Sequence, residues 1–467
     1  TQWPSRIFYM QSILSDSNTS KYLVEFNIRR DGSENFAPDK RWGTFASASL
    51  GWVISEEPFF ESLKNTINFL KIRGSYGTLG NDNTGGVSFP FYSRFELYQG
   101  AVASNGFMNN LGDYAFGDLV TKGLVPGAIA NSLATWEKSN KANIALDATL
   151  FNNLNFTVDL FTERRTNILT QRTAEVPSSF GGTLPLENIG IVNNKGIDLS
   201  LNYHNSIGKV NYSVGGNFTF ARNKIVEMAE AEGTSEYMRQ TGRPINGYYG
   251  YKTDGIFQSQ EEIDSYAKQE VAGVGYETQI GDIKYVDVDG NGVVNSDDMT
   301  YLGYGNIPEI IYGINGSLNW KNFDFSFLMQ GAANAQVYLK GGIILPYFNQ
   351  GNLPQFWVNE AWTEENPSNR YPRLAESVHN FPATDVPGVQ TYLYNASYLR
   401  LKNIEVGYTF PTSWLSRIGV TNARVYVNAQ NLFTISNVPQ IDPENTEQEG
   451  WTYPQMKSFN FGLSLQF

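Results

Sequence analysis

An all-β chain that crosses a bilayer as a transmembrane antiparallel β-barrel is what this 467-residue sequence predicts, on three observations. Apolar and polar residues alternate with period two over long stretches. The stretches run roughly 9–12 residues, the length a tilted strand needs to cross a bilayer and longer than a soluble strand's usual 5–6. Short and long connections alternate along the chain, as they do when all long loops leave one end of a barrel.

The strands follow in order. A weaker first one lies near Ile7 to Leu14. Tyr22, Val24, Phe26 and Ile28 then face away from Glu25, Asn27 and Arg29. Ile144, Leu146 and Leu150 alternate with Asn143, Asp147 and Thr149. Ile197, Leu199, Leu201 and Tyr203 stand against Asp198, Ser200, Asn202 and His204. Val210, Tyr212, Val214, Phe218 and Phe220 stand against Asn211, Ser213, Asn217 and Thr219. Phe323, Phe325, Phe327 and Met329 oppose Asp324, Ser326 and Gln330. The last segment sets Phe459, Phe461, Leu463, Leu465 and Phe467 against Asn460, Gly462, Ser464 and Gln466.

Short turns are expected at Asn152-Asn153, at Asn205 to Gly208 and at Lys321-Asn322, with long connections over 80–140, 165–195, 221–308, 332–396 and 434–456. A soluble sandwich would also alternate, burying its apolar face against a second sheet. It has no reason to send every long loop to one end, so the barrel is preferred. About 13 strands are counted, and an antiparallel barrel normally closes on an even number. The chain is therefore expected to be part of a larger barrel. Trp3, Tyr9, Trp42, Trp52, Tyr408 and Trp414 fall near predicted strand ends, where aromatic side chains sit at the membrane interface.

Composition agrees. Aromatic residues make up 14% and charged residues 17%, against about a quarter charged in soluble domains. There is no cysteine, hence no disulfide or thiolate metal site. The net charge of −12 and the lack of a basic stripe exclude nucleic acid as a partner. No apolar run is long enough for a transmembrane helix, which leaves a barrel untouched. Thr1-Gln2-Trp3-Pro4 lacks the regions of a signal peptide, so an export signal is expected outside this sequence.

One motif carries metal chemistry. Asp287, Asp289 and Asn291 occupy positions 1, 3 and 5 of an EF-hand-type loop, Gly292 follows, Val293 offers its carbonyl at position 7, and Asp298 stands at position 12. Asn295 takes the often water-bridged ninth position. Such oxygens suit Ca2+, with Mg2+ satisfied by fewer of them; the other reading is an Asp/Gly-rich turn without metal. The long loops hold Tyr248, Tyr249, Tyr251, Trp357, Trp362, Tyr371, Tyr392, Tyr394 and Trp451. Of these, Tyr249, Tyr251, Trp357, Trp362, Tyr392 and Tyr394 are candidate contacts for a ligand or a lid; loops folding on each other would use the same residues. No catalytic site is expected. His204 and His379 are the only histidines, neither lies in a zinc or nucleophile motif, and no phosphate loop occurs.

A dozen short motifs, in order along nearly the whole chain, make it resemble the SusC/RagA family of TonB-dependent outer-membrane transporters of Bacteroidetes. They include Arg29-Arg30-Asp31-Gly32-Ser33, Ser49-Leu50-Gly51-Trp52, Gly80-Asn81-Asp82-Asn83, Trp136-Glu137-Lys138 and Asn194-Lys195-Gly196-Ile197-Asp198. Asp254-Gly255-Ile256-Phe257, Tyr398-Leu399-Arg400-Leu401, Asn428-Ala429-Gln430-Asn431-Leu432-Phe433 and Asp442-Pro443-Glu444 follow. The resemblance implies a barrel of about 22 strands filled by an N-terminal plug, of which residues 1–467 supply the C-terminal part, without the plug. It implies loops 221–308 and 332–396 as large extracellular elements, the ion motif as a structural calcium site in the first, and Phe467 as the terminus read by the barrel-assembly machinery. It further implies import of a nutrient, a glycan or oligopeptide, across the bacterial outer membrane. The partners implied are outer-membrane lipid, a SusD-like surface lipoprotein acting as a lid, and the TonB-ExbB-ExbD complex, engaged through an N-terminal region that has no counterpart here. A passive pore or an adhesin barrel is the alternative function.

Overall fold

The computed structural model describes residues 7–15, 21–97, 113–116, 119–122, 124–127, 129–172, 184–271, 275–348, 351–375, 379–380, 388–415, 419–445, 449 and 452–467. Among these residues one sheet of thirteen strands runs in chain order, and each strand is antiparallel to the next. The strands are β1 (Ile7–Ser15), β2 (Tyr22–Gly32), β3 (Trp42–Val53), β4 (Ile67–Asn81), β5 (Glu137–Leu150), β6 (Leu154–Gln171) and β7 (Leu186–Ile207). They continue as β8 (Val210–Glu227), β9 (Ile310–Trp320), β10 (Phe323–Ala333), β11 (Tyr398–Thr409), β12 (Asn422–Ser436) and β13 (Ser458–Gln466). The order is a meander whose two edges are β1 and β13. An odd count makes these edges run the same way, so they cannot pair antiparallel.

The register aligns the apolar face of every strand from β2 to β13. Val24 pairs with Leu50. Ile144 pairs with Leu160, Leu160 with Ile197, and Ile197 with Phe220. Because the side-chain period is two, a slip of one residue would turn a whole strand's oily set inward. These residues point away from the protein: Phe461 is 82% exposed, Ile144 64% and Leu50 62%. Among the described residues the other sheets have only two or three strands, and none covers this face. A sandwich would bury it, so lipid is its solvent. The opposite face is polar and self-satisfied. Arg73 bridges Asp147 (3.1 Å) and Asp159 (2.8 Å), Ser213 and Ser317 lie 2.7 Å apart across β8 and β9, and Arg424 joins Asp324 to Glu405.

Aromatic residues mark the bilayer's edges. Trp42 and Trp52 lie at opposite ends of β3 on the apolar face, ten residues apart, which is about 34 Å of strand and roughly 25 Å of height at the usual tilt. At the short-connection end, Tyr22 Oη and Trp52 Nε1 both donate to Glu57 (2.6 and 3.2 Å). Trp320, Phe323 and Tyr408 form a row across β9, β10 and β11. Trp414 follows in the next short connection and is exposed. Trp3 and the side chain of Tyr9 lie outside the described residues.

Connections alternate by end. At one end lie 151–153, 208–209 and 321–322, with the somewhat longer 54–66 and 410–421. Gly208 has φ +61° in its two-residue turn, the left-handed conformation that such hairpins need. At the other end lie the nine-residue 33–41 and the long 82–136, 172–185, 228–309, 334–397 and 437–457. The loop expected over 165–195 is shorter in the structure, 172–185. β6 and β7 stay paired as far as Gln171 and Leu186, past an irregularity at Arg165 to Leu169. Likewise β8 continues to Glu227 before the large loop begins. Strands here outrun the membrane because ladder hydrogen bonds remain available in water.

The two largest loops fold together. Tyr251, Ile256, Ile283, Tyr285 and Val294 from 228–309 share a buried core with Val337, Leu339, Ile344, Trp357, Tyr371, Val389, Tyr392 and Tyr394 from 334–397. Short ladders knit them. Tyr248–Tyr251 pairs with Thr300–Gly303 within the first loop, and also with Gly388–Val389 of the second. Val438 and Ile441 of the loop 437–457 pack against the same core. A cap with its own interior thus stands at the long-loop end of the wall.

Candidate functional site

The acidic loop of the cap begins just after the strand Ile283–Tyr285. Asp287, Asp289 and Asp298 bring carboxylate oxygens within 4.8 Å of one another. Local turn chemistry builds this arrangement. Asp287 accepts from the N–H groups of Gly290 (2.7 Å) and Gly292 (2.8 Å), Asp289 from that of Asn291 (2.9 Å), and Asn291 Oδ1 from that of Val293 (2.8 Å). Gly290 and Gly292 have φ +76° and +87°, which a side chain would strain. Asp298 is fully buried. Its oxygens accept from Val288 N–H (2.7 Å) and Asn295 N–H (2.8 Å), which fixes the carboxylate against the loop's start. The Gly292 amide, ahead of lesser contributions, holds the Asp287 carboxyl below the usual carboxylate range. Val294 is buried in the cap core and pairs with Gln269, anchoring the loop's far side.

Among the described residues none of these three carboxylates forms an ion pair, so three close negative charges face one another without a cation from the chain. An oxygen-only set held this way fits a hard divalent ion. Asp287, Asp289, Asn291, the Val293 carbonyl and Asp298 would hold it.

The loop aromatics divide. Tyr251, Trp357, Tyr392 and Tyr394 are buried in the cap core, which corrects their reading as ligand or lid contacts. The reason is packing: Trp357 Nε1 donates to the Ile344 carbonyl (2.6 Å) and its ring stands 5.0 Å from that of Tyr371, while Tyr371 and Tyr394 share a hydroxyl contact of 2.8 Å. Tyr249 and Trp362 are half-buried at the cap's surface. Tyr249 Oη donates to the Arg239 carbonyl (3.0 Å), and burial pushes its hydroxyl up to about 12. Trp362 Nε1 donates to Gln258 Oε1 (2.9 Å). Trp451 lies outside the described residues. His204 lies on the polar face of β7, next to the short turn, and His379 is enclosed in the cap.

Sequence reasoning gave no role to a buried cation at the mouth. Arg400, fully enclosed on the polar face of β11, donates to both oxygens of Asp442 (2.7 Å each), to Gln455 Oε1 (2.7 Å) and to Thr434 Oγ1 (2.9 Å). Lys402 donates to Glu444 (2.8 Å). These bonds draw the loop 437–457 inward over the polar face.

Comparison with known proteins places this geometry. The profile of a family described as TonB dependent receptor-like, beta-barrel matches residues 9–248. The chain is 30% identical to TonB-dependent receptor P26 of Formosa agariphila over 472 residues, 96% of this chain and 44% of that protein. It is 30% identical to TonB-dependent receptor SusC of Bacteroides thetaiotaomicron over 463 residues, 97% of this chain and 43% of SusC. The chain thus spans less than half the length of the curated relatives it matches. Among solved structures it resembles the RagAB peptide transporter with a TM-score of 0.72 at 23% identity, over 99% of this chain and 48% of the other. The open-open state of the RagAB peptide importer gives 0.73 at 23% identity, over 99% and 47%. At that identity the likeness is one of fold.

Proposed function

The chain belongs to the TonB-dependent receptor family, whose barrels are outer-membrane transporters rather than enzymes, and on that premise we propose that it supplies wall and cap to an importer of a glycan or oligopeptide. The observation that carries this reading is the pairing of a two-faced wall with long loops that leave one end and fold over it as one cored cap. Lipid meets the oily face; the polar face lines the path. In this reading a SusD-like lipoprotein rests on the segments 228–309 and 334–397, with Tyr249 and Trp362 among its contacts. TonB-ExbB-ExbD delivers energy through the part of the protein that precedes the barrel. The test is uptake by the full-length receptor in cells with and without TonB, together with mass spectrometry of what co-purifies. Uptake that needs TonB, and a co-purified surface lipoprotein, are expected. Equal uptake without TonB would establish a passive pore instead.

The acidic loop is proposed as a structural calcium site that stiffens the cap, with magnesium bound more weakly because it asks for fewer protein oxygens. Binding to the folded form alone raises stability by about 2.7 kcal/mol at a hundredfold excess over Kd. Melting of the receptor should therefore rise with calcium and fall with chelator. An unchanged transition would defeat the site.

A further inference from the structure

We propose that His379 is a pH-sensitive pin that clasps the two largest loops together and lets go in mild acid. The inference goes beyond the transport reading and does not depend on the ligand. His379 and Asn380 belong to the loop 334–397 and close around the strand Ile283–Tyr285 of the loop 228–309. His379 Nε2 lies 2.7 Å from the Ile283 carbonyl. A carbonyl only accepts, so Nε2 carries the hydrogen and the neutral ring leaves a bare lone pair on Nδ1. That Nδ1 is buried and has no hydrogen-bond partner. The ring stacks on Tyr276 at 4.8 Å and 6°, and meets Tyr285 edge-on at 4.8 Å. Beside it, the Ile283 N–H donates to Asn380 Oδ1 (2.9 Å), and Tyr285 Oη to the His379 carbonyl (2.5 Å).

The charges around the ring are already committed. Asp282, fully buried, accepts from Arg373 Nε (2.7 Å), Asn380 Nδ2 (2.8 Å), Tyr276 Oη (2.8 Å) and Gln279 N–H (2.9 Å). Tyr276, Asp282 and Tyr285 from the first loop, and Arg373 and Tyr392 from the second, are the titratable or charged groups about the site. A proton on Nδ1 would make a cation whose new N–H has no acceptor, with the Arg373 guanidinium already holding the carboxylate. Burial, opposed by the Ile283 bond and the Asp282 charge, keeps the imidazole below its ordinary value. The sign follows. Below about pH 6.5 the released histidine takes up a proton that the clasped one refuses, so opening gains up to about tenfold per pH unit. The gain stops once pH passes below the clasped ring's own value.

The test uses the full-length receptor in detergent. Hydrogen exchange in peptides covering 276–285, corrected for the intrinsic rate, should show opening rise as pH falls from 7.5 to 5.5. His379→Gln, whose amide can still donate to the Ile283 carbonyl, should keep protection at pH 7.5 and lose the slope. A wild-type slope that His379→Gln retains would overturn the proposal. So would a flat wild type. Should the variant fold poorly, exchange of the imidazole C2 hydrogen in wild type reads the histidine directly. A midpoint for His379 clearly below 6.5 supports the pin, and one at or above 6.5 refutes it.

Discussion

Arg400 shows at the scale of one residue what holds the barrel mouth in shape. A guanidinium can satisfy two carboxylates and an amide at once, and in this enclosed position every one of its hydrogen-bond and ion-pair partners comes from β12 or the loop 437–457. Removing it leaves Asp442 without its cation and Glu444 with Lys402 alone, a loss of about 3–5 kcal/mol for a broken buried pair. Arg400→Ala should therefore release the loop to limited proteolysis. Arg400→Lys should restore only part of the protection, because an ammonium cannot bond in two directions within one plane. Equal resistance in wild type and Arg400→Ala would mean the loop is held by something else. The clustering of Asp287, Asp289 and Asp298, by contrast, was legible beforehand because these carboxylates lie within twelve consecutive residues and obey a spacing. The Arg400–Asp442 pair spans 42 residues, and no local pattern announces it. Tyr251, Trp357, Tyr392 and Tyr394 were ambiguous for a related reason: an aromatic in a loop is the same letter whether it faces a ligand or another loop.

Single strands test which side is oily. Leu463 on β13 points to the lipid face beside Val425, whereas Asn460 on the polar face bonds Asn428 (2.9 Å), near Glu405. Leu463→Arg should cost about 2–4 kcal/mol near the membrane's midplane. Asn460→Arg should cost far less, since a wet wall with carboxylates nearby accepts a cation. Urea unfolding of the full-length receptor in lipid vesicles, followed by the mobility of the unheated barrel on gels, compares the two. Equal losses would contradict the assignment of faces. Strand identity was readable because period two is a local signal repeated across each strand. Strand ends were not, as β6 and β7 show, since the alternation fades once both faces meet water while hydrogen bonding continues. That is why 165–195 looked like loop and only 172–185 is.

The cap's unity belongs to the whole molecule, and it makes a claim that single loops cannot. If 228–309 and 334–397 were separate excursions, damage to one would leave the other intact. They share one interior instead, in which Trp357 is fully enclosed, bonded to Ile344 and packed on Tyr371, while Tyr285 and Val294 come from the partner loop. Trp357→Ala removes about 3–5 kcal/mol from such a site, enough to open a unit whose stability is of ordinary size. Protease cuts should then appear in both loops, including the acidic segment 287–298, where the calcium binding proposed above should weaken although none of its residues has changed. The thirteen strands, held by their own ladder and by lipid, should keep the barrel's unheated mobility. Cuts confined to 334–397, with calcium binding unchanged, would show two independent loops. The joint opening follows from a property the sequence could not display: the core's halves lie on either side of β9 and β10, brought together only once the wall between them has formed.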